Sequence, residues 1–258
     1  MATELRVDPN LRQRQILEMV GTRGFVPIDD LARHFRLTSQ TIRSDVNRLS
    51  REGLLRRYHG GVGLISTLDN ATFAKRRVLH SQQKIRIARL LAEHIPANAS
   101  VSLHYGTTMQ AVAAALRKHT GLLIVTNNIS AVSAAEPRNG LQLLLAGGKV
   151  NMTEQCTLGE AATGFFSQFY VDFGILSVGA IGADGSLYEF NYEAAETARA
   201  IMRNSKQVFL ASDRQKFERK GLIKVGHLRD VSALFTDRAP PTPIVQLLKG
   251  RGISLHIA

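Results

Sequence analysis

Tryptophan is missing from this 258-residue chain, cysteine occurs once, and the first 63 residues contain no lysine. A lone Cys156 excludes an intrachain disulfide and any zinc site built on a cysteine cluster, and it fits a reducing compartment. With no base or second thiol marked out beside it, Cys156 reads as an inert residue. No uninterrupted apolar run approaches the roughly 18 residues of a membrane-spanning helix. The opening MATELRVDPN carries no apolar core of the signal-peptide type. The expectation is a soluble, cytoplasmic protein with no membrane partner, no metal and no cofactor. Internal repeats and low-complexity tracts are also lacking.

Hydrophobic residues make up 44% of the chain, enough to build a core in one large domain or two unequal ones. The charge balance is basic, 33 Lys plus Arg against 21 Asp plus Glu, for a net +12. It is unevenly spread. Residues 1–63 hold 11 Arg and 7 acids, residues 64–100 hold 6 bases and 2 acids, and the last 158 residues hold 16 and 12. Each segment thus carries +4, so positive charge per residue is concentrated toward the N-terminus, in the first 100 residues. Arginine used to the exclusion of lysine suits planar contacts to phosphates and guanine edges.

The first 65 residues predict three helices and a hairpin. Arg12 to Val20 places Ile16, Leu17 and Val20 on one side and stops at Gly21 and Gly24. FVPIDDLARHF starts a second helix behind Pro27, with Asp29 and Asp30 in the first turn and Leu31, Phe35 and Leu37 inward. Ser39 is the expected N-cap of a third helix running to Arg51 and ended by Gly53. Its core stripe is Ile42, Val46 and Leu49. LLRRYHGGVGLI then places strand-like residues on both sides of Gly60 and Gly61. This is a winged helix-turn-helix over residues 1–65. The third helix would present Ser39, Gln40, Thr41, Arg43 and Ser44 to base edges. Arg48, Arg56, Arg57 and His59 would hold the phosphate backbone. A solvated amphipathic helix has the same periodicity, so the arginines and the hairpin together, rather than the helix alone, point to double-stranded DNA.

Residues 66–79 lose periodicity and read as a linker. From residue 80 to 258 short apolar strands alternate with helices, beginning with SQQKIRIARLLAEHI, whose Ile85, Ala88, Leu91, Ala92 and Ile95 share a face. Alternation of this kind specifies a mostly parallel α/β sheet covered on both faces. Three strand ends carry glycine or small polar residues: Gly106, Thr107 and Thr108; Thr126, Asn127 and Asn128; Gly147, Gly148 and Lys149. In a parallel sheet such ends line one crevice, and the first opens a helix, where backbone N–H groups favour an anion. Asp213 and Lys216, in ASDRQKF, can reach the same edge, and His104 ends the strand before the GTT loop. Each turn alone is an ordinary strand terminus; together they point to a small phosphorylated ligand. Glu189, Glu193 and Glu196 read as surface acids.

With these residues in hand, the chain resembles the DeoR family of transcription regulators. The resemblance rests on TSQTIRSDVNRL with GLLRRYHGG, and on YGTT, IVTNN, LLAGGKV, LGEAA, FFSQFYVDFGILSVGAIGADGSLYEFNYE and ASDRQKF. It implies a repressor that binds operator DNA as a homo-oligomer, dimer or tetramer. A phosphorylated metabolite, glycerol 3-phosphate or a sugar phosphate, would release it. It also implies a sensor fold related to ribose-5-phosphate isomerase. The chain departs from the family pattern at His104, which replaces an aspartate, at Ala194 and Ala198, which replace a glutamate and a lysine, and at Ser44, which replaces a second arginine. The sign of regulation, repressor or activator, stays open at this point. An isomerase-type enzyme is the other alternative, but its chemistry needs a base beside the reacting carbon, and the strand ends offer no catalytic pair beyond Asp213 and His104.

Overall fold

The computed structural model describes residues 9–23, 25–52, 54–58, 60–63, 76, 80–134 and 140–258. The chain divides into two units, residues 1–81 and 82–258. His59, Gly53 and the linker 66–79 apart from Arg76 lie outside the described residues.

In the N-terminal unit α1 (Pro9–Arg23), α2 (Ile28–Phe35) and α3 (Ser39–Arg51) surround one apolar cluster. Three short strands, β1 (Phe25–Pro27), β2 (Arg56–Tyr58) and β3 (Gly61–Gly63), pair antiparallel in the order β1-β3-β2. The expected core residues Ile16, Leu17, Val20, Leu31, Ile42, Val46 and Leu49 are all buried. Four details differ from the sequence reading. Helix α1 begins at Pro9, a residue suited to a first helical turn, and runs through Gly21, whose cost of about 1 kcal/mol is outweighed by the buried Ile16, Leu17 and Val20. Leu37 is exposed, because Arg36 ends α2 in the left-handed conformation (φ 53°, ψ 44°) and turns the chain outward. The N-cap of α3 is Thr38, whose Oγ1 accepts from the Thr41 N–H at 3.2 Å; Ser39 is the first helical residue. Strand β1 is too short to show a period.

The C-terminal unit opens with α4 (Ser81–Ala92). On this helix Ile85 is exposed and Ile87 is buried, so the inward face is Ile87, Ala88, Leu91 and Ala92. The centre of the unit is a seven-stranded sheet. Its strands are β4 (Ser100–Leu103), β5 (Leu123–Thr126), β6 (Gln142–Leu145), β9 (Val171–Leu176), β12 (Ser205–Ala211), β14 (Ala233–Thr236) and β15 (Ser254–Ile257). Their order is β15-β14-β12-β9-β4-β5-β6, and every neighbouring pair is parallel. One face packs on α4, α5 (Thr107–Leu116) and α6 (Ile129–Ala134) through Val101, Leu103, Ile124, Phe173, Ile175, Ala211 and Phe235. The other packs on α7 (Glu160–Phe166), α8 (Tyr192–Arg203) and α9 (Thr242–Gly250) through Val125, Leu176, Val208, Leu210 and Leu234. Successive strand residues alternate between these faces.

Two small antiparallel additions escaped the sequence reading. One pairs β7 (Lys149–Asn151) with β8 (Cys156–Leu158). The other has the order β10-β11-β13, formed by Ala180–Ile181, Ser186–Glu189 and Ile223–His227. Strands of two to five residues leave little periodic signal, and their partners are set by tertiary packing.

Candidate functional site

The N-terminal unit holds α3 in place from beneath. Ile42, Val46 and Leu49 are buried, and so is Asp45, which accepts from Arg12 Nε at 2.6 Å and from Gln13 Nε2 at 3.1 Å. This pairing of α3 with α1 was not legible, because an aspartate beside a valine in a basic helix reads as surface. The opposite side of α3 exposes Gln40, Arg43 and Ser44. Arg43 makes no hydrogen bond or ion pair among the described residues, so its fork is free to reach outward. Ser39 and Thr41 are half-buried and engaged locally: Ser39 Oγ donates to Asp29 at 2.9 Å, and the Thr38 and Thr41 hydroxyls lie 2.9 Å apart. Arg48 pairs with Glu52 at 3.2 Å on the exposed surface, a contact that contributes little. Arg57, in β2, donates to Asn47 Oδ1 at 2.8 Å and ties the hairpin to α3. Arg56 lies in the same strand.

In the C-terminal unit the sheet brings the GTT, TNN and GG turns to the ends of three adjacent strands, β4, β5 and β6. Gly106 precedes α5 with φ 122°, a conformation that a side chain would strain, and offers no side-chain cap to the helix. The first N–H groups of α5 therefore lack intrahelical partners, the property that suits a helix N-terminus to an anion. Thr107 and Thr108, the first two residues of α5, are buried. The TNN turn braces this loop. Thr126 Oγ1 donates to Leu103 O at 2.7 Å and accepts from the Asn128 N–H at 3.0 Å, and Asn128 Nδ2 donates to Gly106 O at 3.2 Å. Ser130 Oγ donates to Asn128 Oδ1 at 2.6 Å, so both side-chain atoms of the Asn128 amide are engaged. Asn127 donates to Thr157 O at 2.9 Å while its Oδ1 stays buried without a partner. Asn128 and Thr126 thus position the loop, and Asn127 keeps an acceptor to offer.

Gly148 has φ 133°, and a Cβ there would lie 2.8 Å from Leu158 O, so only glycine lets the β6 turn lie against β8. Gly147 and Lys149 are exposed, and Lys149 Nζ sits 3.5 Å from the Glu193 carboxylate of α8. That contact draws the ammonium toward α8. His104 is fully buried beside Gly106 with neither ring nitrogen hydrogen-bonded, although the backbones of Ser177 and Ala194 lie near the ring. Burial lowers its pKa to about 4, so it is neutral at physiological pH.

Asp213 and Lys216 lie at the end of β12, two strands from β4. Asp213 is buried and caps the 3-10 turn Arg214–Glu218, accepting from the Gln215 N–H at 3.1 Å. Glu189, expected at the surface, is buried, because β11 is the central strand of its three-stranded sheet. Arg219 was missed by the sequence reading. Its guanidinium stands 5.0 Å from the centre of the Phe190 ring, and burial lowers its pKa against the opposing pull of Asp213 and Glu189. No signal in ASDRQKFER separates it from the neighbouring bases. Among the described residues no three His, Cys, Asp or Glu side chains gather into a metal site, and no helix is long and apolar enough to cross a membrane.

Residues 12–68 match the DeoR-like helix-turn-helix domain and residues 79–238 match the DeoR C terminal sensor domain. The chain is 39% identical over 246 residues to the glycerol-3-phosphate regulon repressor of Escherichia coli (strain K12), covering 95% of this chain and 98% of that protein. A glycerol-3-phosphate regulon repressor of Haemophilus influenzae is 39% identical over 240 residues, 93% of each chain. The HTH-type transcriptional repressor CsqR of Escherichia coli (strain K12) is 32% identical over 253 residues, 98% of this chain and 96% of that one. Among solved structures, ribose 5-phosphate isomerase from Plasmodium falciparum aligns with a TM-score of 0.39 at 17% identity, over 56% of this chain and 55% of that chain, and nothing about chemistry follows from so partial a likeness. A helix-turn-helix unit joined to a sensor unit, both matched in sequence and both built as their residues dictate, places this chain in the DeoR family of transcriptional regulators.

Proposed function

We propose that the protein is a repressor that binds operator DNA through α3 and the β2-β3 hairpin as a homo-oligomer and lets go when glycerol 3-phosphate occupies the sensor. The observation that carries the effector class is the braced GTT loop: an uncapped helix N-terminus whose glycine is fixed by Asn128, which leaves backbone donors directed at an anion. The choice of glycerol 3-phosphate among phosphorylated metabolites is supported by 39% identity, spread over 95% of the chain, to repressors bearing that name. Gly106, Thr107 and Thr108 would take the phosphate, and His104 and Asn127 would meet the carbon chain. Gln40, Arg43 and Ser44 would read bases, with Ser39 and Thr41 at the helix start. Arg48, Arg56, Arg57 and His59 would hold the backbone.

A gel shift on the DNA upstream of the protein's own gene, titrated with glycerol 3-phosphate and a panel of sugar phosphates, tests both halves. Retarded DNA that is freed by glycerol 3-phosphate at lower concentration than by the sugar phosphates is the expected result. Release by a different member of the panel would reassign the effector, and failure to bind that DNA would remove the self-regulated operator from the proposal.

A further inference from the structure

Five buried polar atoms on four residues at the carboxyl ends of the parallel strands have no hydrogen-bond partner among the described residues: His104 Nδ1 and Nε2 after β4, Asn127 Oδ1 after β5, Ser212 Oγ after β12 and Thr236 Oγ1 in β14. All four residues are 0% exposed. Buried polar groups are nearly always paired, so each unpaired one calls for an explanation. Their placement supplies it. Leu103, Ala211 and Phe235 belong to the core on the α4 face, so by alternation His104, Ser212 and Thr236 point to the α8 face. The ladder continues to these positions, with His104 N donating to Ile175 O at 3.0 Å and Ser212 N to Phe235 O at 2.9 Å. Val125 packs on the α7 and α8 side, which sends Asn127 the same way.

Ser212 and Thr236 are adjacent and equivalent. Each ends an apolar strand in a hydroxyl residue followed by an aspartate, Ser212 with Asp213 and Thr236 with Asp237. Both aspartates are consumed by the 3-10 turn: Asp213 accepts from the Gln215 N–H at 3.1 Å and Asp237 from the Arg214 N–H at 2.8 Å. Along the same edge, β9 separates β12 from β4, and the His104 ring after β4 stands beside the Ser177 backbone that follows β9. Strands β12 and β14 lie two and three spacings from β4, roughly 10 and 14 Å.

We propose that Ser212 and Thr236 form a hydroxyl-reading subsite for the carbon chain of a polyol phosphate whose phosphate lies at Gly106, Thr107 and Thr108. The proposal rests on the phosphorylated-effector reading above and adds the residues that distinguish a polyol phosphate from phosphate alone. A serine and a threonine each both donate and accept, which matches an alcohol and gives no advantage to a bare anion. A site built to hydrogen-bond a substrate hydroxyl rejects analogues that lack it, because its own buried groups are then left unpaired.

The test is calorimetric binding to the full-length protein of inorganic phosphate, glycerol 3-phosphate, ribitol 5-phosphate and glucitol 6-phosphate. Wild type should bind at least one polyol phosphate tenfold or more tightly than inorganic phosphate. Ser212→Ala combined with Thr236→Val should erase that preference, leave inorganic phosphate binding unchanged, and keep or raise the melting temperature of the unliganded protein, since both changes remove unpaired hydroxyls. Thr236→Ser, which keeps the hydroxyl, should retain the wild-type preference and serves if the double variant does not fold. The proposal is overturned if the variants lacking the hydroxyls keep the wild-type preference, if inorganic phosphate binding falls in parallel, or if wild type prefers no polyol phosphate over phosphate. A preference for ribitol or glucitol phosphate, without release of DNA by glycerol 3-phosphate, would overturn the effector identity and leave the subsite standing.

Discussion

A histidine sealed from water resists protonation, and at His104 the cost falls on folding. Its pKa is lowered from 6.5 to about 4, chiefly by burial. Above pH 6.5 the ring is neutral in both the folded and the unfolded chain and contributes no pH dependence. Between 6.5 and about 4 the unfolded chain takes up a proton that the native state refuses, so stability falls as pH falls; below that window the loss levels off at about 3 kcal/mol. Urea midpoints recorded from pH 7 to 4 should therefore drop more steeply in wild type than in His104→Gln, and parallel curves would contradict the assignment. Asp45 carries a different risk. Its side chain and that of Arg12 are 7% and 12% exposed, so Asp45→Ala leaves a nearly buried guanidinium unpaired at a cost of about 3 kcal/mol. Amide exchange in residues 12–51 should accelerate accordingly while the sensor is unaffected. The apolar partners of these two residues were readable from spacing. Asp45 and His104 were not, because burial of a polar side chain depends on a neighbour distant in sequence.

At the scale of single elements, α3 and the hairpin divide the work of binding. Arg43, on the exposed side of α3, has no partner among the described residues, whereas Arg57 is anchored to Asn47 from the hairpin. Arg43→Ala should relax base preference at one operator position, and Arg57→Ala should weaken binding to all sequences and lower the salt slope by about one. Selection from randomised DNA separates the two outcomes, and identical profiles would refute the division. The helix itself was legible to the residue at its C-terminal end, since Ile42, Val46 and Leu49 mark its face. Its cap shifted by one residue because Ser39 spends its hydroxyl on Asp29, leaving Thr38 to accept from Thr41. On α4 the same kind of reading failed at Ile85: Ile85 and Ile87 are two residues apart, on different sides of a helix, and only the sheet beneath selects Ile87.

For the whole molecule, release from DNA requires that the effector bind the DNA-incompetent form more tightly. Each tenfold loss of operator affinity needs about 1.4 kcal/mol of that preference. If Thr107 holds the phosphate, Thr107→Ala should bind operator normally and stay bound at effector concentrations that free the wild type, which a titrated gel shift measures. Release of the variant at wild-type concentrations would remove Thr107 from the site.

Helix faces, the hairpin around Gly60 and Gly61, and the alternation of strands with helices follow from near neighbours in the chain, where side-chain period and turn chemistry act over a few residues. They were enough for a winged helix-turn-helix followed by an α/β sensor, and for three of the turns that line its edge. Strand order is another matter, because β9 is inserted beside β4 by pairing between residues 72 positions apart and β12 joins β9 across 34. That insertion puts Ser212 and Thr236 on the same face as His104. Glu189 is likewise buried by a pairing distant in sequence, that of β11 between β10 and β13. Which polar residues stand at the surface and which face inward without partners is a property of the assembled sheet, since burial is set by what packs on a residue and not by the residue itself.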